Sequence, residues 1–170
     1  IYSDDHVTLS GDGARFDADT AYLGKNSQTI DYNIVADHFG KKTESLITVN
    51  GALTDSAKKV FRGTIDFKKG SADSVGSENE TVLMLGDDVV NKTVPLILCA
   101  EENVEGTHGA TIGELDADTM FYFESRGIDR ETAERIMAYA AVERLIHMAE
   151  DGGFAAVAEK AMEIKTDTEE

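Results

Sequence analysis

The chain has one cysteine, one proline and no tryptophan in 170 residues, and only 16 basic side chains against 33 acidic ones. A single cysteine cannot close an internal disulfide, which argues against a small secreted fold held by bridges. The formal charge of −17 argues against a nucleic-acid partner, because such a surface repels phosphate. No run approaches the ~20 consecutive apolar residues that a membrane span needs. The opening Ile1-Tyr2-Ser3-Asp4-Asp5 is neither a signal peptide nor an initiator product. A cytoplasmic location without membrane contact is therefore expected, for a piece of a longer protein. The phosphate-binding pattern GxxxxGK[ST] is missing too: Gly24-Lys25-Asn26 and Gly40-Lys41-Lys42 are turn glycines beside lysines. Any ATP this protein depends on must be hydrolysed by a partner. With no GxSxG elbow, a Ser/His/Asp hydrolase also lacks its platform.

What is present suffices for a folded chain: 41% apolar and 29% charged residues, in a length that can bury a core. Up to about residue 115, short β-branched and aromatic runs alternate with Gly/Asn/Asp/Ser clusters, a strand-and-turn pattern. In residues 60–67, Phe61, Gly63, Ile65 and Phe67 share one face, while Arg62, Thr64 and Asp66 share the other. Residues 46–49, 81–85 and 95–99 read as further strands, with Pro95 at a strand start where a missing donor costs least. The run Leu96-Ile97-Leu98-Cys99-Ala100 predicts burial on both faces. Strand centres recur at Val49, Ile65, Leu83 and Ile97, a spacing looser than a strict repeat that suits either a sandwich or a β-solenoid.

Beyond residue 115 the period is helical. Asp116 or Asp118 caps a short helix through Met120, Phe121 and Phe123, stopped by Gly127. Asp129 caps a longer one on which Ala133, Ile136, Met137, Ala140, Ala141, Leu145 and Met148 recur at helical steps. Gly152-Gly153 ends it, and a third stretch carries Phe154, Val157, Ala158, Ala161 and Met162 before an acidic tail. The expected division is a β domain over residues 1–114 and a helical region over residues 115–170.

Among chemistry-bearing residues, His6 reads as solvated, His38 as a turn histidine and His147 as a helix-end cation favoured by the macrodipole. Cys99, inside the apolar run, reads as a small buried hydrophobe. Glu101, Glu102 and Glu105 read as surface carboxylates. His108 differs, standing in Glu105-Gly106-Thr107-His108-Gly109-Ala110-Thr111 directly after an apolar strand, where an imidazole could bind a borderline metal.

The segment Thr107-His108-Gly109-Ala110-Thr111-Ile112-Gly113, followed by Leu115-Asp116, Phe121-Tyr122 and Ser125-Arg126-Gly127-Ile128-Asp129, resembles the C-terminal signature of the SufB/SufD family. Asp31-Tyr32, His38, Thr43-Glu44-Ser45 and Phe61-Arg62-Gly63 extend the similarity upstream, from about residue 25 to about residue 163. The resemblance implies a right-handed parallel β-helix followed by a small α-helical region, in a scaffold subunit of iron–sulfur cluster assembly. It implies no stably bound cofactor, a transient iron–sulfur cluster at a protomer interface, and a dimer with a SufB-like partner or with itself. It also implies docking of the ABC-type ATPase SufC on helices over residues 129–164, with Ile136, Met137, Ala140 and Leu145 as contacts. His108 coincides with the interface histidine of SufD-type members and is the expected iron or cluster ligand. Gly106 stands where those members place a cysteine, Gly109 where SufB-type members place a glutamate, and Glu80 near the SufB acceptor cysteine; Cys99 matches none of these. The family core is longer than this chain, so an N-terminal part is expected to be missing. The rival readings are a metal-dependent enzyme using His108, Glu105 and either Glu102 or His38, and an acidic interaction module.

Overall fold

A computed structural model describes residues 1–148, the side chains of Arg144 and His147 excepted. Eight strands come first: β1 (Tyr2–Leu9), β2 (Arg15–Gly24), β3 (Thr29–His38), β4 (Glu44–Thr54), β5 (Lys58–Phe67), β6 (Ser74–Leu85), β7 (Val90–Cys99) and β8 (Val104–Gly113). Two helices follow, α1 (Ala117–Ser125) and α2 (Arg130–Met148). Odd-numbered strands form one parallel sheet in the order β1-β3-β5-β7, and even-numbered strands form the other in the order β2-β4-β6-β8. Each turn of the chain therefore contributes one strand to each sheet, giving a β-solenoid of about four turns. Paired residues such as Tyr2 with Asp31 and Lys58 with Val90 mark positions one full turn apart. The intervals between the strand centres read from the sequence are half-turns, each step crossing from one sheet to the other.

Tight corners make this geometry possible. Asn26, Asp55 and Asp73 sit in left-handed backbone between strands, where short polar side chains are best tolerated. The corners also stack: the Asn26 amide donates to the Asp55 carboxylate at 2.7 Å, and the Lys41 amide to that of Asp12 at 2.9 Å. Alternation then sends every second side chain inward. Ile30, Ile34, Ile47, Val49, Leu53, Phe61, Ile65, Phe67 and Val82 fill the space between the sheets.

The helices begin where the sequence predicts. Asp116 caps α1 by accepting from the Thr119 amide at 2.6 Å, and the Asp129 carboxylate accepts from the Thr132 amide at 2.7 Å. Gly127, with φ of +77°, turns the chain between them. Helix α2 lies on the outer face of the even-numbered sheet, where Ala138 packs with Ala52 and Leu85. No helix among the described residues is long and apolar enough to cross a membrane.

Two expectations change. The run at residues 96–100 is not buried on both faces: Leu96 and Leu98 are 46% and 42% exposed, and Cys99 is exposed as well. The reason is position, because β7 is the edge of its sheet and nothing among the described residues covers its outer face or the end of the solenoid beyond it. On α2, Ala133, Ala138, Val142 and Ile146 are buried, while Ile136 and Met137 are half-buried and Ala140 is exposed. The segment around His108, which the sequence pattern leaves outside the strands, is strand β8. The expected third helical stretch and acidic tail lie outside the described residues.

Candidate functional site

The last turn of the solenoid, β7 and β8, forms its open end. Pairing of β5 with β7 carries the inward positions Lys59, Phe61, Gly63, Ile65 and Phe67 down to Asn91, Thr93, Pro95, Ile97 and Cys99. Pairing of β6 with β8 carries Gly76, Glu78, Glu80 and Val82 down to Gly106, His108, Ala110 and Ile112. His108 thus issues from the inward side of the final strand. Its register partner Glu78 is 2% exposed, whereas His108 itself is exposed, no further turn covering it among the described residues. The strand period puts Glu105 on the opposite face of β8 from His108.

Immediately above this end lies a group of buried charges. Lys59 is fully buried and pairs with Glu80, whose second carboxylate oxygen accepts from the Thr93 hydroxyl. The Lys59 ammonium also lies 5.6 Å from the ring centroids of both Tyr22 and Phe61. Burial lowers the Lys59 pKa, and the hydrogen bond to Glu80 opposes that shift. Glu78 differs from Glu80, because no hydrogen bond reaches its carboxyl among the described residues. Burial first, and then the charge of Glu80, pushes the Glu78 carboxyl up to about 7, with Lys59 pulling the other way. A Cβ at Gly63 would collide with this carboxyl, so glycine at 63 provides the space for it. The buried Tyr22 hydroxyl and the Asn91 amide find no hydrogen-bond partner in the same region.

His38 has a structural place. It is fully buried at the end of β3, its Nδ1 2.7 Å from the Thr43 hydroxyl and its Nε2 2.9 Å from that of Ser45. Burial holds its pKa below the ordinary histidine range. Glu101 accepts from the amide of Gly70 at 2.9 Å and that of Glu102 at 3.1 Å, which ties one corner to the next. His6 lies exposed 3.2 Å from Asp4. Cys99 shares the open end with His108 but stands on the opposite sheet. Among the described residues no group of three or more His, Cys, Asp or Glu side chains is arranged to hold a metal ion. The ligand set His108, Glu105 and Glu102 or His38 is therefore not assembled there.

On α2, Ala140 is exposed, while Ile136, Met137 and Leu145 are half-buried. Leu145 and Met148 face Asp19, Ala21 and Asn50 on the outer side of β2 and β4. The Lys59–Glu80 pair and the buried Glu78 escaped sequence reasoning. Only their inward phase on β5 and β6 marks them, and that requires knowing the register.

Comparison with known proteins adds a second line. The profile of the family described as SUF system FeS cluster assembly, SufBD core domain, matches residues 1–141. Iron-sulfur cluster assembly protein SufD of Bacillus subtilis is 33% identical over 137 residues, which cover 81% of this chain and 31% of that protein. SufD of Escherichia coli is 29% identical over 101 residues, 59% of this chain and 24% of its own length. A chloroplastic SufBD family protein of Arabidopsis thaliana is 27% identical over 127 residues, 75% of this chain and 23% of its own. The chain spans about a third or less of the length of these relatives. With a parallel solenoid, capping helices and a family profile running through both, the chain belongs to the SufBD family of iron–sulfur cluster assembly proteins.

Proposed function

We propose that this chain is part of a non-catalytic, cytoplasmic scaffold subunit of the SUF system. It pairs through the open end of its β-helix and carries a SufC-type ABC ATPase on its C-terminal helices. The observation that carries this reading is the position of His108, on the inward side of the last strand and exposed at the open end. Strands β7 and β8 end their sheets, so their outer edges offer unpaired backbone groups to a second protomer. Val94, Leu96 and Leu98 on β7 and Ile112 on β8 add exposed apolar surface beside those edges.

The iron–sulfur cluster is cargo here, held briefly at the interface. Clusters depend on thiolate ligation, and Gly106 and Glu80 stand at the two cysteine positions of the family pattern. His108 therefore supplies one ligand, and a SufB-like partner, or a second copy, supplies others. The exposed and half-buried side of α2, with Ala140, Ile136 and Met137, faces the ATPase; Leu145 completes the contact from the edge nearer the sheet.

Co-purification tests this assignment. A SufC-type ATPase co-expressed with the chain should remain bound through affinity purification and gel filtration. The double variant Ile136→Glu/Met137→Glu should release it while the β-sheet circular dichroism stays unchanged. Retention of the ATPase by that folded variant would contradict the assignment of α2.

A further inference from the structure

Two layers of the solenoid meet at the open end, and across from Gly63 and Pro95 each presents one polar side chain, Glu78 and His108. The upper layer sets Gly63 across from Glu78, and the lower layer sets Pro95 beneath Gly63 and His108 beneath Glu78. Neither glycine nor proline brings a side-chain polar group, so no hydrogen-bonding side chain stands across from Glu78 and His108 at this level, and the nearest charges, Lys59 and Glu80, bond each other. Adjacent parallel strands lie about 4.8 Å apart, and register partners project to the same side. That puts the His108 side chain one layer below that of Glu78, on the same side of the sheet, and the Glu78 carboxyl accepts no hydrogen bond among the described residues. The neighbouring Glu80 is not available for this role, since Lys59 and Thr93 occupy both its oxygens.

The Glu78 carboxyl is an acceptor with no hydrogen-bond partner among the described residues, so it can take up a donor from the layer below. A ligating histidine is usually oriented through its second ring nitrogen, which donates to a carboxylate or carbonyl. We propose that Glu78 is a positioning residue for His108, accepting the imidazole N–H that turns into the solenoid and leaving the other ring nitrogen free at the open end. Gly63 belongs to the same device, because its missing side chain lets the Glu78 carboxyl occupy this layer. The inference rests on reading His108 as the interface ligand, and it adds what sets that ligand's tautomer and direction.

Nitrogen-15 NMR of histidine-labelled chain, without iron and at a pH where imidazole is neutral, reads the tautomer directly. In the wild-type protein His108 should favour one tautomer. Glu78→Leu and Glu78→Ala should shift the tautomer ratio by about fivefold, the effect of one net hydrogen bond. Glu78→Gln keeps an acceptor oxygen and should retain the wild-type ratio. An unchanged ratio in a folded Glu78→Leu or Glu78→Ala chain would overturn the proposal. The ligand role itself stands or falls separately, on whether His108→Ala abolishes cluster formation.

Discussion

The carboxyl group of Glu78 occupies the space that any side chain at residue 63 would need. These residues face each other from the two sheets of the solenoid, Gly63 on β5 and Glu78 on β6. A glycine in a strand is ordinarily a weakness, and here it marks a close approach. Gly63→Ala should therefore push the Glu78 carboxyl out of this layer and destabilise the chain by about 1 kcal/mol, the low end of overpacking because a flexible side chain gives way. The same substitution in a Glu78→Ala background should cost much less, since the clash is gone. Urea unfolding of the four proteins gives the coupling, and additive effects would argue against the contact.

Two buried groups give stability opposite dependences on pH. The Glu78 carboxyl is raised to about 7 in the folded chain, from an ordinary value of 4.5. Between those values the unfolded chain has released this proton and the folded chain has not, so stability falls as pH rises. His38 is depressed when folded, so its contribution is present above the ordinary histidine value near 6.5 and is lost as pH falls through the lower, folded one. Glu78→Gln should remove the first effect, and its gain over the wild type should grow from pH 5 to pH 8 by on the order of 2 kcal/mol. Chemical denaturation at several pH values measures this; a gain that stays constant across the range would contradict it.

The Lys59–Glu80 pair is fully enclosed, so each charge depends on the other. Lys59→Met alone strands a carboxylate in the interior and should cost about 3–5 kcal/mol. Lys59→Met/Glu80→Met replaces the pair with apolar side chains and should recover most of that loss. Thermal unfolding distinguishes the cases. A double variant as unstable as the single one would show that the pair contributes through something other than mutual neutralisation.

Leu96 and Leu98 are exposed on the outer face of β7, so charging them should change the stability of the isolated chain by no more than about 0.5 kcal/mol. On the proposed pairing, Leu96→Glu/Leu98→Glu should nevertheless weaken association with a second protomer. Sedimentation velocity reads the two effects apart. Unaltered association would move the pairing surface away from β7.

The sequence was informative wherever the deciding contacts are local. Alternation along Phe61, Gly63, Ile65 and Phe67 marks a strand face, and Asp116 and Asp129 announce helix starts by the caps they form on Thr119 and Thr132. Strand β8 was not legible, because Gly106, Thr107, His108 and Gly109 carry little apolar signal. Its strand character comes from pairing with β6, one full turn earlier in the chain. Leu96 to Ala100 misled for a related reason: an apolar run implies burial, but cover on the outer face depends on which sheet the helix packs against, and α2 lies on the other one. The three buried ionisable residues on β5 and β6, Lys59, Glu78 and Glu80, run against binary patterning, and only the fold shows how they meet. At the candidate site, His108 was identifiable from its motif, whereas its relation to Glu78 appears only in the register.

The most direct measurement is anaerobic reconstitution of the chain, assembled with a second SufB/SufD-type protomer and a SufC-type ATPase, followed by visible absorbance. The wild-type complex should develop iron–sulfur absorbance, and a His108→Ala complex of the same composition should lose most of it. Equal absorbance from the two complexes would contradict the placement of His108 at the cluster-forming interface.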